Sequence, residues 1–154
     1  MIQRIQSIYL LIATLFGLSM LFANQIDFVS ETANYALNFK GFYSVTNTAM
    51  PEVTSTLALS ILLFITPLIS LVNIFLFKKR MVQIRLCAAN IGLLLGVTAM
   101  VYYFGIVGMK ELMATSKTYG VTMVFPIASA ILNFLAMRGI INDEALIKSM
   151  DRIR

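Results

Sequence analysis

Residues Val53–Phe77, VTSTLALSILLFITPLISLVNIFLF, carry no charged side chain, and Lys78-Lys79-Arg80 follow at once. An α-helix crosses the ~30 Å of a bilayer's hydrocarbon core with about 20 apolar residues. This run exceeds that length and is apolar on every face, whereas a core helix of a soluble domain keeps one polar side. The basic triplet at its end is the flank that a membrane helix shows on the side where its loop stays behind.

Working outward, three further runs free of charge are long enough to span: Ile5 to Ala23, Leu86 to Val107 and Tyr119 to Met137. Of the 154 residues, 59% are hydrophobic and only 12% charged, against about 25% in an ordinary soluble domain. The expected fold class is therefore all-α membrane, a four-transmembrane-helix bundle forming one membrane domain over residues 1–154. Its spans lie at about 5–23, 53–77, 86–107 and 119–137, with an outer loop at 24–52 and a tail at 138–154. Arg4 before the first run also fits a signal peptide. Leu21-Phe22-Ala23 places a bulky residue at a cleavage position that prefers a small one, so the run reads as an uncleaved helix.

Lysine and arginine set the orientation. With the N-terminus inside, the inner segments hold Arg4, Lys78, Lys79, Arg80, Arg85, Arg138, Lys148, Arg152 and Arg154, and the outer ones only Lys40, Lys110 and Lys117. Nine against three puts both termini in the cytoplasm. The net charge of +5 follows from these flanks; no basic stripe with interleaved aromatics argues for nucleic acid.

The outer loop alternates around Lys40-Gly41, with Tyr35, Leu37 and Phe39 before it and Tyr43 and Val45 after it. That pattern reads as a small extracytoplasmic β-hairpin between helices 1 and 2; the alternative is an irregular loop with its aromatics at the membrane interface. After Met137, Asn142 reads as the cap of a short helix with Asp143 and Glu144 in its first turn. Leu146, Met150 and Ile153 then share one face, the pattern of an amphipathic tail on the cytoplasmic surface or against a partner.

Inside the spans, Ala88, Gly92 and Gly96 form a small-residue strip, as do Ala13 and Gly17, and such strips admit a neighbouring helix. Asn73, Asn90 and Asn133 each lie about four residues from the inner end of a span, hence at one depth of about 6 Å. An unsatisfied amide in hydrocarbon costs several kcal/mol, so the three are expected to bond to one another, to backbone or to water, as a clamp or a polar vestibule. Pro67 and Pro126 read as helix kinks. Their surroundings, Pro67-x-x-Ser70-x-x-Asn73 and Pro126-x-x-Ser129-x-x-x-Asn133, are weakly alike.

Chemistry is what the sequence lacks. No ionisable side chain lies within the spans, where proton relays and ion-coupled carriers place them. Histidine is absent and Cys87 is the single cysteine. Ser60, Ser70 and Ser129 have no evident base, and Asp27, Glu31 and Glu52 show no catalytic spacing. No catalytic residue, cofactor site or metal-ligand cluster is expected.

The opening Met1-Ile2-Gln3-Arg4-Ile5-Gln6-Ser7-Ile8-Tyr9-Leu10-Leu11, running straight into the first span, resembles an uncharacterised membrane family of Bacteroidota, the domain-of-unknown-function family numbered 4293. The four-span plan and the basic loop from Lys78 to Arg85 are similar too. The resemblance implies a small inner-membrane protein of Gram-negative bacteria and brings no activity with it. The expected function is thus a non-catalytic accessory or structural subunit whose partners are the lipid bilayer and other membrane-protein subunits. A small channel or carrier acting as a homo-oligomer is the alternative, and a lipid-handling enzyme ranks last.

Overall fold

The computed structural model describes residues 3–31, 33–45, 55–77 and 79–151. Helix α1 (Gln3–Phe22) leads into strands β1 (Ile26–Val29), β2 (Asn34–Asn38) and β3 (Gly41–Ser44). Helices α2 (Leu57–Phe75) and α3 (Arg80–Glu111) follow, then strand β4 (Ser116–Tyr119), a 3-10 turn (Val121–Val124) and helix α4 (Phe125–Asp151). All four helices are long and apolar enough to cross a membrane. Both α1 and α3 pack against α2 and α4, which makes an up-and-down bundle with α1 and α3 on one diagonal.

The helix bounds follow local chemistry. The backbone N–H of Lys79 donates to the Leu76 carbonyl at 2.9 Å, so the chain turns tightly from α2 into α3. Helix α3 is 32 residues long and starts at Arg80, a turn and a half before the apolar run. At 1.5 Å per residue it spans about 48 Å and projects beyond any hydrocarbon layer. It ends where Met113 takes a left-handed φ of 46° and the Ala114 N–H closes back on the Met109 carbonyl at 3.2 Å, the bond of a Schellman stop.

Two expectations change along the chain's last third. Residues 116–124 form β4 and the 3-10 turn, so the fourth helix begins at Phe125, not Tyr119. It then runs unbroken through Asn142 to Asp151. Asn142 is exposed within this helix and caps nothing, because residues 138–141 hold no helix-stopping geometry and Gly139 packs against Gln6. The tail is the end of α4. Pro126 is the second residue of α4, where a missing N–H breaks no helical bond, so it starts the helix and does not kink it. Pro67 does sit inside its helix, which continues to Phe75.

The expected hairpin is β2–β3, one residue out of the expected frame. Asn38 pairs with Gly41, leaving Phe39-Lys40 as the turn. The Asn38 Oδ1 accepts from the Lys40 N–H at 2.8 Å, and Gly41 adopts φ +121°, a conformation costly for any other residue. The hairpin belongs to a larger antiparallel sheet in the order β3-β2-β1-β4. β1 pairs with β2 (Phe28 opposite Tyr35) and with β4 (Phe28 opposite Lys117). Ile26, Phe28 and Leu37 are fully buried beneath the sheet, packed on Met20, Leu59, Leu63, Val97, Val101 and Phe104 of the helices. A second apolar cluster, Leu10, Cys87, Ala136 and Ile140, fills the opposite end of the bundle.

Candidate functional site

Each helix contributes one buried stripe, and at the end away from the sheet these stripes turn polar. On α2 the stripe reads Pro67, Ser70, Asn73; on α3 it reads Gln83, Cys87, Asn90; on α4 it reads Ser129, Asn133, Ala136, Ile140. The spacing of three and four residues places each set on one helix face. Gln6 of α1 joins them at 6% exposure.

The three asparagines are each 1% exposed or less; Asn90 and Asn133 meet at one level with Ser70, and Asn73 lies about a turn nearer the α2–α3 end, beside Gln83 and Cys87. Asn90 Nδ2 donates to Ser70 Oγ at 2.8 Å and, more weakly, to Asn133 Oδ1 at 3.4 Å. Asn133 Nδ2 in turn donates to the Ser129 carbonyl at 2.8 Å, and Ser129 Oγ to the Ala13 carbonyl at 3.4 Å. α1, α2, α3 and α4 are thereby stitched within about one helical turn of depth. Asn73 bonds within the α2–α3 pair: its Nδ2 reaches Cys87 Sγ at 2.9 Å and the Gln83 carbonyl at 3.3 Å, while Gln83 Nε2 donates to the Asn73 carbonyl at 3.1 Å. Asn73 Oδ1 and Asn90 Oδ1 remain buried without a hydrogen-bond partner.

Above this layer, at the end bearing the α2–α3 turn, Gln6 Nε2 donates to Asp143 Oδ2 at 2.6 Å, and Arg80 faces Glu144 at 3.9 Å. Gln6, Ser7, Arg80, Gln83 and Asp143 surround a void of about 10 Å³, room for one water at most. Toward the sheet the column meets Leu63, Val97, Val101 and Phe104, all buried. It is a dead end.

The remaining sequence candidates fall into two groups. Ala13 and Gly17 of α1 are buried in helix contacts; a Cβ on Gly17 would stand 2.8 Å from Pro67 Cβ. Ala88, Gly92 and Gly96 face outward, and a Cβ on either glycine would meet nothing within 4 Å. The close approach on α3 is made elsewhere, at Gly105 and Gly108. There a Cβ would collide with the Tyr119 hydroxyl at 2.8 Å and with the Phe28 ring at 2.6 Å. Of the basic loop, Lys79 and Arg85 are exposed and Arg80 is partly buried; Lys78 lies outside the described residues, as does Glu52. Asp27 and Glu31 are exposed on the sheet. Among the described residues no three His, Cys, Asp or Glu side chains gather as a metal site would need.

Gln6, Gln83, Asp143 and Glu144 also belong to the polar end. Gln83, Asp143 and Glu144 carry a signal in the sequence, since each is polar and falls at helical spacing on a stripe that carries an asparagine; Gln6 is a polar residue near the start of the apolar α1. The column is built of amide, hydroxyl and thiol groups, which hydrogen-bond to one another and to backbone carbonyls.

The chain belongs to the family defined as a domain of unknown function, DUF4293, whose family model matches residues 2–153. No curated protein matches it.

Proposed function

We propose that this member of the family is a non-catalytic accessory or structural subunit of a larger inner-membrane assembly, multi-pass with both termini in the cytoplasm. One observation carries the reading: most of the buried polar groups of the column bond to one another and join the four helices, and the column meets apolar side chains before the sheet. Such a bundle holds its own shape and offers no conduit or reaction centre. Outward, large apolar side chains such as Leu57, Phe64, Phe75, Leu95 and Ile131 stand exposed, more than a soluble monomer tolerates and suited to lipid or to other membrane helices. The open Ala88-Gly92-Gly96 face is the part best shaped for a neighbouring subunit's helix. The Gln6–Asp143 bond and the Arg80–Glu144 pair gather the start of α1, the α2–α3 turn and the end of α4 at one end, the end carrying the excess of Lys and Arg.

Native electrophoresis of the tagged protein, extracted in several mild detergents, tests the proposal. Migration within a larger complex is expected; a free monomer in every detergent would overturn it. A fluorescent protein fused to the C-terminus should fold and fluoresce, which requires that end to be cytoplasmic.

A small channel or carrier acting as a homo-oligomer is the second reading. The unpartnered Asn73 Oδ1 and Asn90 Oδ1 favour it, since buried acceptors invite a permeating donor. Leucine at Asn73, Asn90 and Asn133 should then abolish flux in liposomes, and unchanged flux would dismiss it.

A further inference from the structure

The groove between the start of α3 and the end of α4 differs from the closed interior of the bundle. A surface cavity of about 400 Å³ opens there, lined by Lys79, Arg80, Met81, Val82, Glu144 and Ile147, a volume within the range of small-ligand pockets. Its lining is divided. Two cations and one carboxylate make the polar part, while Met81, Val82 and Ile147 offer apolar surface, 51%, 39% and 37% exposed. Arg80 is the built element. Its Nη1 is shut off from solvent, has no hydrogen-bond partner, and stands 3.9 Å from Glu144 Oε2, beyond hydrogen-bond reach. A guanidinium presents a planar fork of donors that matches the oxygens of a phosphate. Glu144 does not hydrogen-bond Nη1, and 23% of the Arg80 side chain stays exposed.

We propose that this groove binds the headgroup of an anionic phospholipid, the phosphate held by Lys79 and Arg80 and the upper acyl chain lying along Met81, Val82 and Ile147. The location fits such a ligand. The cavity sits where α2 ends and α3 begins, and charged and apolar side chains line it together, the mixture met at the boundary between headgroups and hydrocarbon. Two cations against one carboxylate leave an excess positive charge, which favours an anionic over a zwitterionic headgroup. The inference rests on the membrane reading above and is independent of the subunit proposal.

The test is native mass spectrometry of the full chain in mild detergent, with phosphatidylglycerol or phosphatidylcholine added at equal concentration. Phosphatidylglycerol should be retained roughly fivefold better, the effect of about one cation at a membrane surface. The double variant Lys79→Gln, Arg80→Gln should lose that preference. Arg85→Gln with Arg138→Gln, which removes the same charge from exposed sites outside the cavity, should keep it. Glu144→Gln should raise retention about fivefold, a gain that a purely structural carboxylate would not produce. If the Arg80 variant fails to fold, Lys79→Gln and Glu144→Gln still give opposite signs. Equal retention of the two lipids, or an equal loss in the control pair, would overturn the site. Displacement of phosphatidylglycerol by millimolar inorganic phosphate would assign the groove to a free anion and overturn the lipid proposal. Release of the protein from membranes by alkaline carbonate would sink the membrane reading as well, whereas retention without lipid preference would sink the site alone.

Discussion

Asn90 is the residue on which the stitched layer depends, and its replacement by leucine can be worked through. Leucine has the same number of side-chain heavy atoms, but its two methyls are bulkier than the planar amide, and two interhelical bonds go, to Ser70 Oγ at 2.8 Å and Asn133 Oδ1 at 3.4 Å. Hydrogen bonds between membrane helices average about 0.6 kcal/mol and reach about 1.7, and a partner left unsatisfied in a dry site adds about 1–3 kcal/mol. Against this, the substitution also removes Asn90 Oδ1, itself unpartnered. With about 1–3 kcal/mol for the added bulk, a net loss of about 2–4 kcal/mol is expected. A double-mutant cycle isolates the bond: Asn90→Leu with Ser70→Ala should show a coupling of about 1 kcal/mol, near fivefold in the unfolding equilibrium. Asn73→Leu with Asn133→Leu, joined by no hydrogen bond among the described residues, should be additive. Unfolding in mixed micelles of rising SDS fraction, followed by far-UV circular dichroism because the chain has no tryptophan, gives the measurement. A coupling below about 0.3 kcal/mol for Asn90–Ser70, or one as large for Asn73–Asn133, would refute the bonding scheme.

Other substitutions probe the rest of the fold. Gly17→Ala drives a methyl against the rigid Pro67 ring and should cost about 1–3 kcal/mol in the same unfolding assay. Gly92→Ala meets nothing and should leave the isolated protein unchanged or up to about 1 kcal/mol more stable; a loss of the large complex in native gels with that stability intact would mark the face as an interface. Gly41→Ala forces a side chain onto φ +121° against Thr56 Oγ1 and should destabilise by about 1–3 kcal/mol, visible as earlier loss of the near-ultraviolet aromatic signal. Asp143→Ala releases the Gln6 amide and should speed hydrogen exchange in the last turns of α4 ahead of the core.

Much of this architecture could be read from charge and period. Depth counting put Asn73, Asn90 and Asn133 at one level; Asn90 and Asn133 do meet, but the tight turn from α2 into α3 sets Asn73 beside Gln83 and Cys87, about a turn away. Rotation about each axis was harder. Ala88-Gly92-Gly96 is a good packing strip by composition, yet the asparagine stripe faces the interior and carries the glycines outward. The hairpin was visible because Tyr35, Leu37, Tyr43 and Val45 alternate beside a glycine. β1 and β4 were not, because four-residue strands show too little period. Lys117, moreover, hid β4's role by tucking under Tyr102 and Tyr119, with its Nζ donating to the Gly105 carbonyl at 3.3 Å. Asn142 carried a cap signal that the continuous backbone overrode, since Gly139 lets α4 pass close to Gln6 and continue.

The pairing of β1 with β4 also bears on biogenesis. β1 leaves the ribosome directly behind the first helix, while β4 is synthesised only after the third, so the edge of β1 must wait through most of translation for its neighbour. When β4 arrives, the Thr115 N–H on the Val29 carbonyl and the Gly120 N–H on the Gln25 carbonyl, both at 2.9 Å, fasten the two ends of the seam. The seam therefore works as a completion clasp: a chain that stalls before its fourth strand displays an unpaired strand edge to proteases and chaperones, and a finished one has covered it.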